Sequence, residues 1–339
     1  DGAGPDAFWL AHANDWPLLA EPSSGACGGR NGIPAYRLLL DEPTLGGQVD
    51  PVVLFGRPTL SRPVQALLSR PEVEILVIAP RGAAWPDAGR AATQVLTELP
   101  PLLLRGNLGA GMDWLARWRR AGEQAARAVT AVLDGAGAEG LPSGPAVARV
   151  VAARSGEGAV LVVGASNPVR DLELVAERLE EAPLVLANRG LAGIDGTVST
   201  AVGIALGLAR PVRAYVGDLT FLHDVGGLLV GPLDRRPDLQ VVVANDDGGS
   251  IFATLEHGGA PADLAERVFG TPHGADLGAL CAGYGVAHTR VEDLAGLDAA
   301  LARPIVGLSV VEVVVDRVGR RDLHVRLGAA VHAAVATPA

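Results

Sequence analysis

The sequence predicts an α/β protein made of two doubly wound domains, each with a mainly parallel sheet. The chain has 339 residues, more than one ordinary hydrophobic core accommodates. Hydrophobic residues make up 49% of it and charged residues 19%, which indicates a folded protein and not a disordered one. Short runs rich in Val, Leu and Ile alternate with stretches of helical spacing, as parallel strands joined by helical crossovers do.

Residues 1–134 are interpreted as a first, central domain whose first strand is missing. The pattern Gly2-x-Gly4-x-x-Ala7 resembles the turn that joins a strand to a helix, yet no strand precedes it. We therefore expect further sequence upstream of residue 1. The elements predicted after this turn are strands at Val52–Gly56 and Val73–Ala79 and helices at Ser61–Ser69 and Met112–Leu133.

Residues 135–143 are rich in Gly, Pro and Ser and are predicted to be a linker to a second domain at 144–339. There the alternation of strands and helices becomes regular, and ligands of such sheets bind at the carboxyl ends of the strands. The predicted strands are Ala159–Val163, Pro183–Ala187, Val212–Val216, Leu239–Ala244 and Gly307–Val315, followed by a terminal helix from about Arg321.

Composition excludes several classes of protein. All 28 positively charged residues are Arg, which excludes a lysine Schiff base and a P-loop lysine. The net charge of −10 argues against a nucleic-acid-binding protein. Two cysteines, Cys27 and Cys281, fit neither a disulfide scaffold nor a structural zinc site, and Cys281 is expected to pack in a helix. Without a membrane-length apolar run or a signal peptide in the sequence, we expect a cytoplasmic protein.

Acidic residues follow two successive predicted strands, Asp218 after Val212–Val216 and Asp246 after Leu239–Ala244. Strands joined by one crossover helix should be parallel, so both carboxylates should emerge at the same edge of the sheet. Two carboxylates and a carbonyl oxygen from the nearby glycine backbone are suitable ligands for Mg²⁺ that also binds phosphate. Either segment alone would be explained as ordinary turn chemistry, but the pair favours a site.

The sequence around this pair resembles the 2-succinyl-5-enolpyruvyl-6-hydroxy-3-cyclohexene-1-carboxylate synthase (MenD) family of thiamine-diphosphate enzymes. The resemblance is strongest over about residues 145–316. The segments that carry it are Ser166-Asn-Pro-Val-Arg170-Asp171, Asn188-Arg189-Gly190-Leu-Ala-Gly-Ile194-Asp195-Gly196, Gly217-Asp218-Leu-Thr-Phe-Leu-His-Asp224 and Asn245-Asp-Asp-Gly-Gly-Ser-Ile251-Phe252.

The resemblance implies that 2-oxoglutarate is decarboxylated and that the product is added to isochorismate, with thiamine diphosphate and Mg²⁺ or Mn²⁺ as cofactors. It implies a central domain of the transhydrogenase dIII type. It also implies roles for particular residues. The implied metal ligands are Asp218, Asp246 and the backbone of Gly248; the implied cofactor contacts are Ser166, Ile194, Gly217, Asp218, Leu219, Thr220 and Gly249; the implied substrate contacts are Arg170, Arg189, Ile251, Phe252 and Leu255.

The family resemblance also implies a glutamate, in a separate pyrimidine-binding domain, that activates the cofactor across a dimer interface. No segment of this chain resembles that domain, and Glu157, Glu173 and Glu312 all lie within the domain already assigned. The catalytic residue is therefore not identified. We expect the chain to be inactive alone and to work with the missing domain in a homodimer or homotetramer.

Several alternatives stay open. Ile251 and Phe252 could equally be ordinary core residues, and the role of Asp247, where family members often have Asn, is not explained. His223 is expected on a helix surface. A non-catalytic regulatory or scaffolding subunit, another thiamine-diphosphate decarboxylase or carboligase, and a nicotinamide- or flavin-binding enzyme are the competing functions. Two interpretations are open for Arg57, Arg62 and Arg81. They are either scattered surface arginines or part of an anion-binding effector site.

Overall fold

The computed structural model describes residues 3–79, 85, 87, 89–106, 111–136, 140–156, 158–175 and 183–336. The chain divides into two compact units. The first comprises Asp1–Thr130, Glu173–Ala182 and Leu327–Ala339, and the second comprises Ala131–Leu172 and Pro183–Arg326. Each unit contains a parallel sheet with helical connections, which confirms the predicted α/β class.

The predicted domain bounds differ from these units in detail. The boundary between the two units lies between Thr130 and Ala131. The first two residues of the predicted linker belong to a long helix that ends at Ala136. Residues 173–182 and 327–339, predicted in the second domain, group with the first unit.

The first unit has a three-stranded parallel sheet of order β1-β2-β3. Its strands are β1 (Val52–Phe55), β2 (Ile75–Ile78) and β3 (Gln94–Leu96), and its helices are α1 (Pro5–Asn14), α2 (Arg62–Leu67) and most of α3 (Gly111–Ala136). In α3, Leu115, Trp118 and Val129 are buried at helical spacing, as its amphipathic sequence predicts. Strand β3 was not predicted, because it is three residues long and two of them are exposed.

The second unit has a six-stranded, all-parallel sheet of order β5-β4-β6-β7-β9-β8. The strands are β4 (Val160–Val163), β5 (Leu184–Leu186), β6 (Val212–Gly217), β7 (Leu239–Asn245), β8 (Ala287–Val291) and β9 (Leu308–Val314). The helices that accompany them are α4 (Gly144–Ala153), α5 (Asn167–Val175), α6 (Thr197–Leu208), α7 (Asp218–His223), α8 (Ala262–Ala265), α9 (Leu277–Gly283), α10 (Leu294–Leu301) and α11 (Arg320–Ala336).

The strand order places a topological switch point between β4 and β6. From β4 the chain goes to β5 on one side of it and then returns to β6 on the other side. Ligands of open α/β sheets bind in the crevice at the carboxyl ends of the strands at such a point. The central strands are buried along most of their length, which fits their continuous apolar sequences.

Strand β8 was not predicted from the sequence. It forms the edge of the sheet beside β9, and its five residues are exposed or half-buried. The sequence Ala-His-Thr-Arg-Val therefore lacks the apolar run by which the other strands were predicted. Within the described part of the chain, no helix is long and apolar enough to cross a membrane.

Candidate cofactor and metal site

The carboxyl ends of β4, β6 and β7 bring the predicted site together. In the parallel β6–β7 pair, Gly217 lies opposite Ala244, so the residues that follow them emerge at one edge of the sheet. A cavity of about 170 Å³ lies there, within the second unit. The predicted residues that line it are Ser166, Ile194, Gly217, Asp218, Leu219, Thr220, Asp246, Gly248, Gly249, Ile251 and Phe252.

Asp218 is the first residue of α7 and is 2% exposed. Its Oδ1 accepts the backbone N–H of Leu219 at 2.6 Å, and its Oδ2 accepts the backbone N–H of Gly248 at 2.8 Å. Burial raises the pKa of this carboxyl, while these hydrogen bonds oppose the rise. The carboxylate is thereby fixed in one orientation at the wall of the cavity.

Asp246 lies one residue beyond the end of β7 and lines the same cavity. Its Oδ2 accepts the hydroxyl of Ser250, whereas its Oδ1 is buried and has no hydrogen-bond partner among the described residues. Burial, and then the charge of Asp218, raise its pKa from the ordinary 3.8 to about 7. A buried carboxylate oxygen without a partner, close to a second carboxylate, is a position at which a cation would be stabilised.

The backbone between Asp246 and Gly249 approaches its neighbours closely. Gly248 has φ 146°, and a Cβ there would lie 2.0 Å from the carbonyl oxygen of Gly270. The backbone N–H of Gly249 donates to that same oxygen at 2.7 Å. Glycine is therefore required at 248 for both conformation and space.

We expect Gly248→Ala to destabilise the protein by about 2 kcal/mol or more, because the substitution combines a strained backbone with a clash against main chain. Gly207→Ala is the matched control: Gly207 lies inside α6, and a Cβ there meets nothing within 4 Å. This control should stabilise the protein by roughly 0.5–1 kcal/mol. Urea unfolding measures both, and equal effects of the two substitutions would contradict the expectation.

An ion pair that sequence reasoning missed lies at the inner wall of the cavity. The guanidinium of Arg320 holds the carboxylate of Asp171 through two hydrogen bonds, Nη2 to Oδ1 at 2.7 Å and Nη1 to Oδ2 at 3.1 Å. Both residues are buried and both line the cavity. Arg320 begins α11, shortly after the carboxyl end of β9, so its position at a strand end was the available signal.

His273 is a second missed residue. Its Nε2 lies 3.1 Å from Oδ2 of Asp218, although it is 55 residues farther along the chain. It follows no strand and has no metal-ligand spacing to another histidine, so the sequence carries no local signal for it.

Three residues predicted to contact substrate, Arg170, Arg189 and Leu255, lie outside the set that lines the cavity. One guanidinium nitrogen of Arg170 donates to the carbonyl oxygen of Ser166 at 2.7 Å, within the same segment. Arg189 is 3% exposed. Their roles therefore stay predictions.

Two of the glutamates considered as catalytic candidates, Glu173 and Glu312, are not among the residues that line the cavity. Glu173 is buried in the first unit, where it accepts a hydrogen bond from Tyr36 and pairs with Arg37. Glu312 accepts from Asn245 and lies 2.9 Å from Nε2 of His288. Glu157 lies outside the described residues.

Two further residues from the sequence analysis, Cys281 and His223, are not among those that line the cavity. Cys281 is fully buried in α9, which confirms its packing role, and His223 is exposed at the end of α7. Arg81, one of the three arginines considered for an effector site, lies outside the described residues, so that site stays untested. A larger cavity of about 440 Å³ lies within the first unit, is lined mainly by apolar side chains and contains none of the predicted site residues.

Comparison with known proteins shows what the chain is similar to. Residues 174–313 match the family described as thiamine pyrophosphate enzyme, C-terminal TPP binding domain. The chain is 52% identical to the 2-succinyl-5-enolpyruvyl-6-hydroxy-3-cyclohexene-1-carboxylate synthase of Kineococcus radiotolerans over 98% of its length, and 50% identical to that of Nocardioides sp. over 97%. It spans 59% and 62% of the length of these two curated relatives.

Among solved structures, benzoylformate decarboxylase from Polynucleobacter necessarius is similar, with a TM-score of 0.59 and 18% sequence identity. The match covers 93% of this chain and 59% of that one. At this identity the likeness establishes the fold alone.

Proposed function

We propose that the second unit of this chain, a homologue of part of the 2-succinyl-5-enolpyruvyl-6-hydroxy-3-cyclohexene-1-carboxylate synthases, binds thiamine diphosphate. A divalent cation would hold the diphosphate of the cofactor. The observation that carries the proposal is the buried Oδ1 of Asp246, which has no partner among the described residues, in a side chain that lines the same cavity as Asp218. This cavity lies beside the switch point of the sheet, where ligands of such folds bind.

The donor set fits a hard cation that also binds phosphate. The described residues contain no cluster of three or more His, Cys, Asp or Glu side chains that could hold a metal. A cation here would depend on the two carboxylates, the carbonyl oxygen of Gly248 and oxygens of the diphosphate itself. Mg²⁺ and Mn²⁺ favour oxygen ligands, and Mg²⁺ is commonly bound by one or two carboxylates together with ligand phosphates.

The chain's own residues would position the cofactor. Gly217 and Gly249 carry no side chain to obstruct a diphosphate, and Thr220 is buried at the cavity wall. Ile194 lies on the same wall and would support the cofactor through apolar contact. When bound, the thiazolium ring of the cofactor would supply the electron sink for decarboxylation and carbon–carbon bond formation.

We propose 2-oxoglutarate and isochorismate as the substrates of the whole protein. Both are dianions, so a chain of net charge −10 must present positive charge locally to bind them. Arg170 and Arg189 are the candidates, because guanidinium binds carboxylate through paired hydrogen bonds. Phe252 lines the cavity and packs against Phe269, with ring centroids 5.5 Å apart, so with Ile251 it would form an apolar wall for a ring.

The relatives are longer than this chain, and we propose that the activating glutamate belongs to the part of their length that it does not span. Assembly as a homodimer or homotetramer and a cytoplasmic location stay predictions from the sequence.

Isothermal titration of the purified protein with thiamine diphosphate tests the proposal. We expect binding in the presence of Mg²⁺ or Mn²⁺ and its loss when EDTA removes the cation. Absence of binding with either cation would overturn the proposal, and binding of a nicotinamide or flavin nucleotide instead would favour the competing enzyme class.

The affinity for Mn²⁺ should depend on pH. Because the pKa of Asp246 is raised to about 7, protons compete with the cation below that pH, and affinity should fall by up to about tenfold per pH unit on acidification. Above about pH 7 it should level off. The matched control is Asp246→Asn, whose amide oxygen needs no deprotonation to bind a cation. Electron paramagnetic resonance of free Mn²⁺ measures both, and an equally steep pH dependence in the Asn variant would exclude Asp246 as the titrating group.

A further inference from the structure

Asp247 does not face the cavity, although it stands between two residues that do. Its backbone has φ 56°, in the left-handed region, and it is not among the residues that line the cavity. Half of its side chain is exposed. The extra negative charge that the sequence places beside the proposed diphosphate site therefore belongs to another interaction.

The carboxylate of Asp247 binds the loop that carries His273. Its Oδ1 accepts the backbone N–H groups of His273 at 3.0 Å and of Gly274 at 2.8 Å. These two N–H donors fix the start of the loop in the way that a capping carboxylate fixes a turn. Two more hydrogen bonds stabilise the same region. The Arg317 guanidinium donates to the carbonyl oxygen of Asp247 at 2.8 Å, and the Gly249 N–H donates to the carbonyl oxygen of Gly270 at 2.7 Å.

The hydrogen bonds of the His273 ring define its neutral tautomer. Nδ1 accepts the backbone N–H of Ala275 at 2.9 Å, so the proton of the neutral ring is on Nε2. Nε2 lies 3.1 Å from Oδ2 of Asp218 and therefore donates to it. Nδ1 lies 3.5 Å from Oδ1 of Asp247, too far for a good hydrogen bond, so the ring is connected to Asp247 through the backbone.

We propose that Asp247 and His273 are positioning residues for the cation ligand Asp218: Asp247 fixes the loop through two backbone N–H groups, and His273 donates from Nε2 to the Asp218 carboxylate. The inference rests on the proposed function, because it needs Asp218 to bind the cation. With the Gly248 N–H also on Oδ2 and the Leu219 N–H on Oδ1, Asp218 has three donors that set its direction. Partners of this kind orient metal-binding carboxylates and are worth about 10–100-fold in metal affinity.

The role assigned to Asp247 needs its acceptor oxygen and not its charge. Asp247→Asn keeps the oxygen and removes the charge, while Asn tolerates the left-handed backbone well. Asp247→Gly removes both, and glycine still adopts φ 56° without strain. His273→Gln keeps a donor near the place of Nε2, and His273→Ala removes it.

The test measures the Kd for Mn²⁺ of each purified variant by electron paramagnetic resonance, and thiamine-diphosphate binding by calorimetry. We expect the Asn and Gln variants to stay within about threefold of the parent, and Asp247→Gly and His273→Ala to weaken Mn²⁺ binding by about 10–100-fold. Asp293→Gly is the control, because Asp293 also accepts a backbone N–H, from Gly296, at the remote start of α10. It should leave the Kd unchanged.

Two results would overturn the inference. One is unchanged Mn²⁺ affinity in both Asp247→Gly and His273→Ala. The other is a conservative variant, Asn or Gln, that weakens binding as much as the corresponding truncation. If the parent protein itself binds neither Mn²⁺ nor the cofactor, the proposed function fails instead, so the two failures are distinguishable.

Discussion

Replacing Asp246 with Ala is expected to weaken cation-dependent binding of thiamine diphosphate by more than about 100-fold. The same substitution should stabilise the cation-free protein at pH 8. The loss of binding should exceed the roughly 10–100-fold effect of residues that only orient metal ligands, because a ligand itself is removed. Loss of function with a gain of stability is typical of a residue kept for its site.

The gain in stability follows from the sign of the pKa shift. Burial and the neighbouring Asp218 raise the pKa of Asp246 from 3.8 to about 7, so the folded protein binds a proton more tightly than the unfolded chain does. The carboxyl therefore favours folding at low pH, and this contribution is lost as pH rises from about 4 to about 7. At pH 8 a rise of the pKa from 3.8 to about 7 corresponds to roughly 4 kcal/mol. Because Asp246→Ala also loses the hydrogen bond from Ser250, the net gain in the free energy of unfolding should be roughly 2 kcal/mol.

Urea unfolding at pH 4.5 and pH 8, without divalent cations, measures this difference. The stabilisation should be present at pH 8 and largely absent at pH 4.5. Asp234→Ala, at an exposed carboxylate, is the control and should show neither effect. Parent-like cofactor affinity in Asp246→Ala would contradict the assignment of this residue to the cation site.

Breaking the buried pair of Asp171 and Arg320 should cause the largest loss of stability. Arg320→Leu leaves the Asp171 carboxylate buried without its partner, and such a change costs about 3–5 kcal/mol. The double variant Asp171→Leu with Arg320→Leu should recover much of this loss, because replacing both charges by apolar groups leaves no uncompensated charge. Urea unfolding of the single and double variants measures the coupling.

The control pair for this experiment is Arg290 and Glu292, whose side chains are 57% and 64% exposed. Screening by solvent makes such pairs weak, so Arg290→Leu should change stability far less. An Arg320→Leu variant as stable as the Arg290→Leu variant would refute the stabilising role assigned to the buried pair.

The main features of the fold could be predicted because the buried strands are continuous apolar runs. Val212–Gly217 and Leu239–Asn245 are strands, are parallel and are adjacent, so Asp218 and Asp246 emerge at one edge as their sequence positions predict. The missed strands β3 and β8 lie at sheet edges, where their side chains are partly exposed and the apolar signal is absent.

The parts of the site that could not be predicted depend on contacts over long sequence separations. His273 reaches Asp218 from a loop beyond α8, and Arg320 reaches Asp171 from the start of α11, 149 residues away. Neither distance follows from periodicity or local spacing. The same holds for Asp247, whose role the sequence left unexplained and whose carboxylate accepts the backbone N–H of His273, 26 residues away.

Crystals of the protein grown with Mn²⁺ and thiamine diphosphate give the most direct measurement, through the anomalous difference density of manganese. The proposed function predicts one peak within coordination distance of a carboxylate oxygen of Asp218 and of Oδ1 of Asp246, with diphosphate oxygens among the other ligands. A manganese peak elsewhere, or bound cofactor whose diphosphate lies away from the carboxyl ends of β6 and β7, would contradict it.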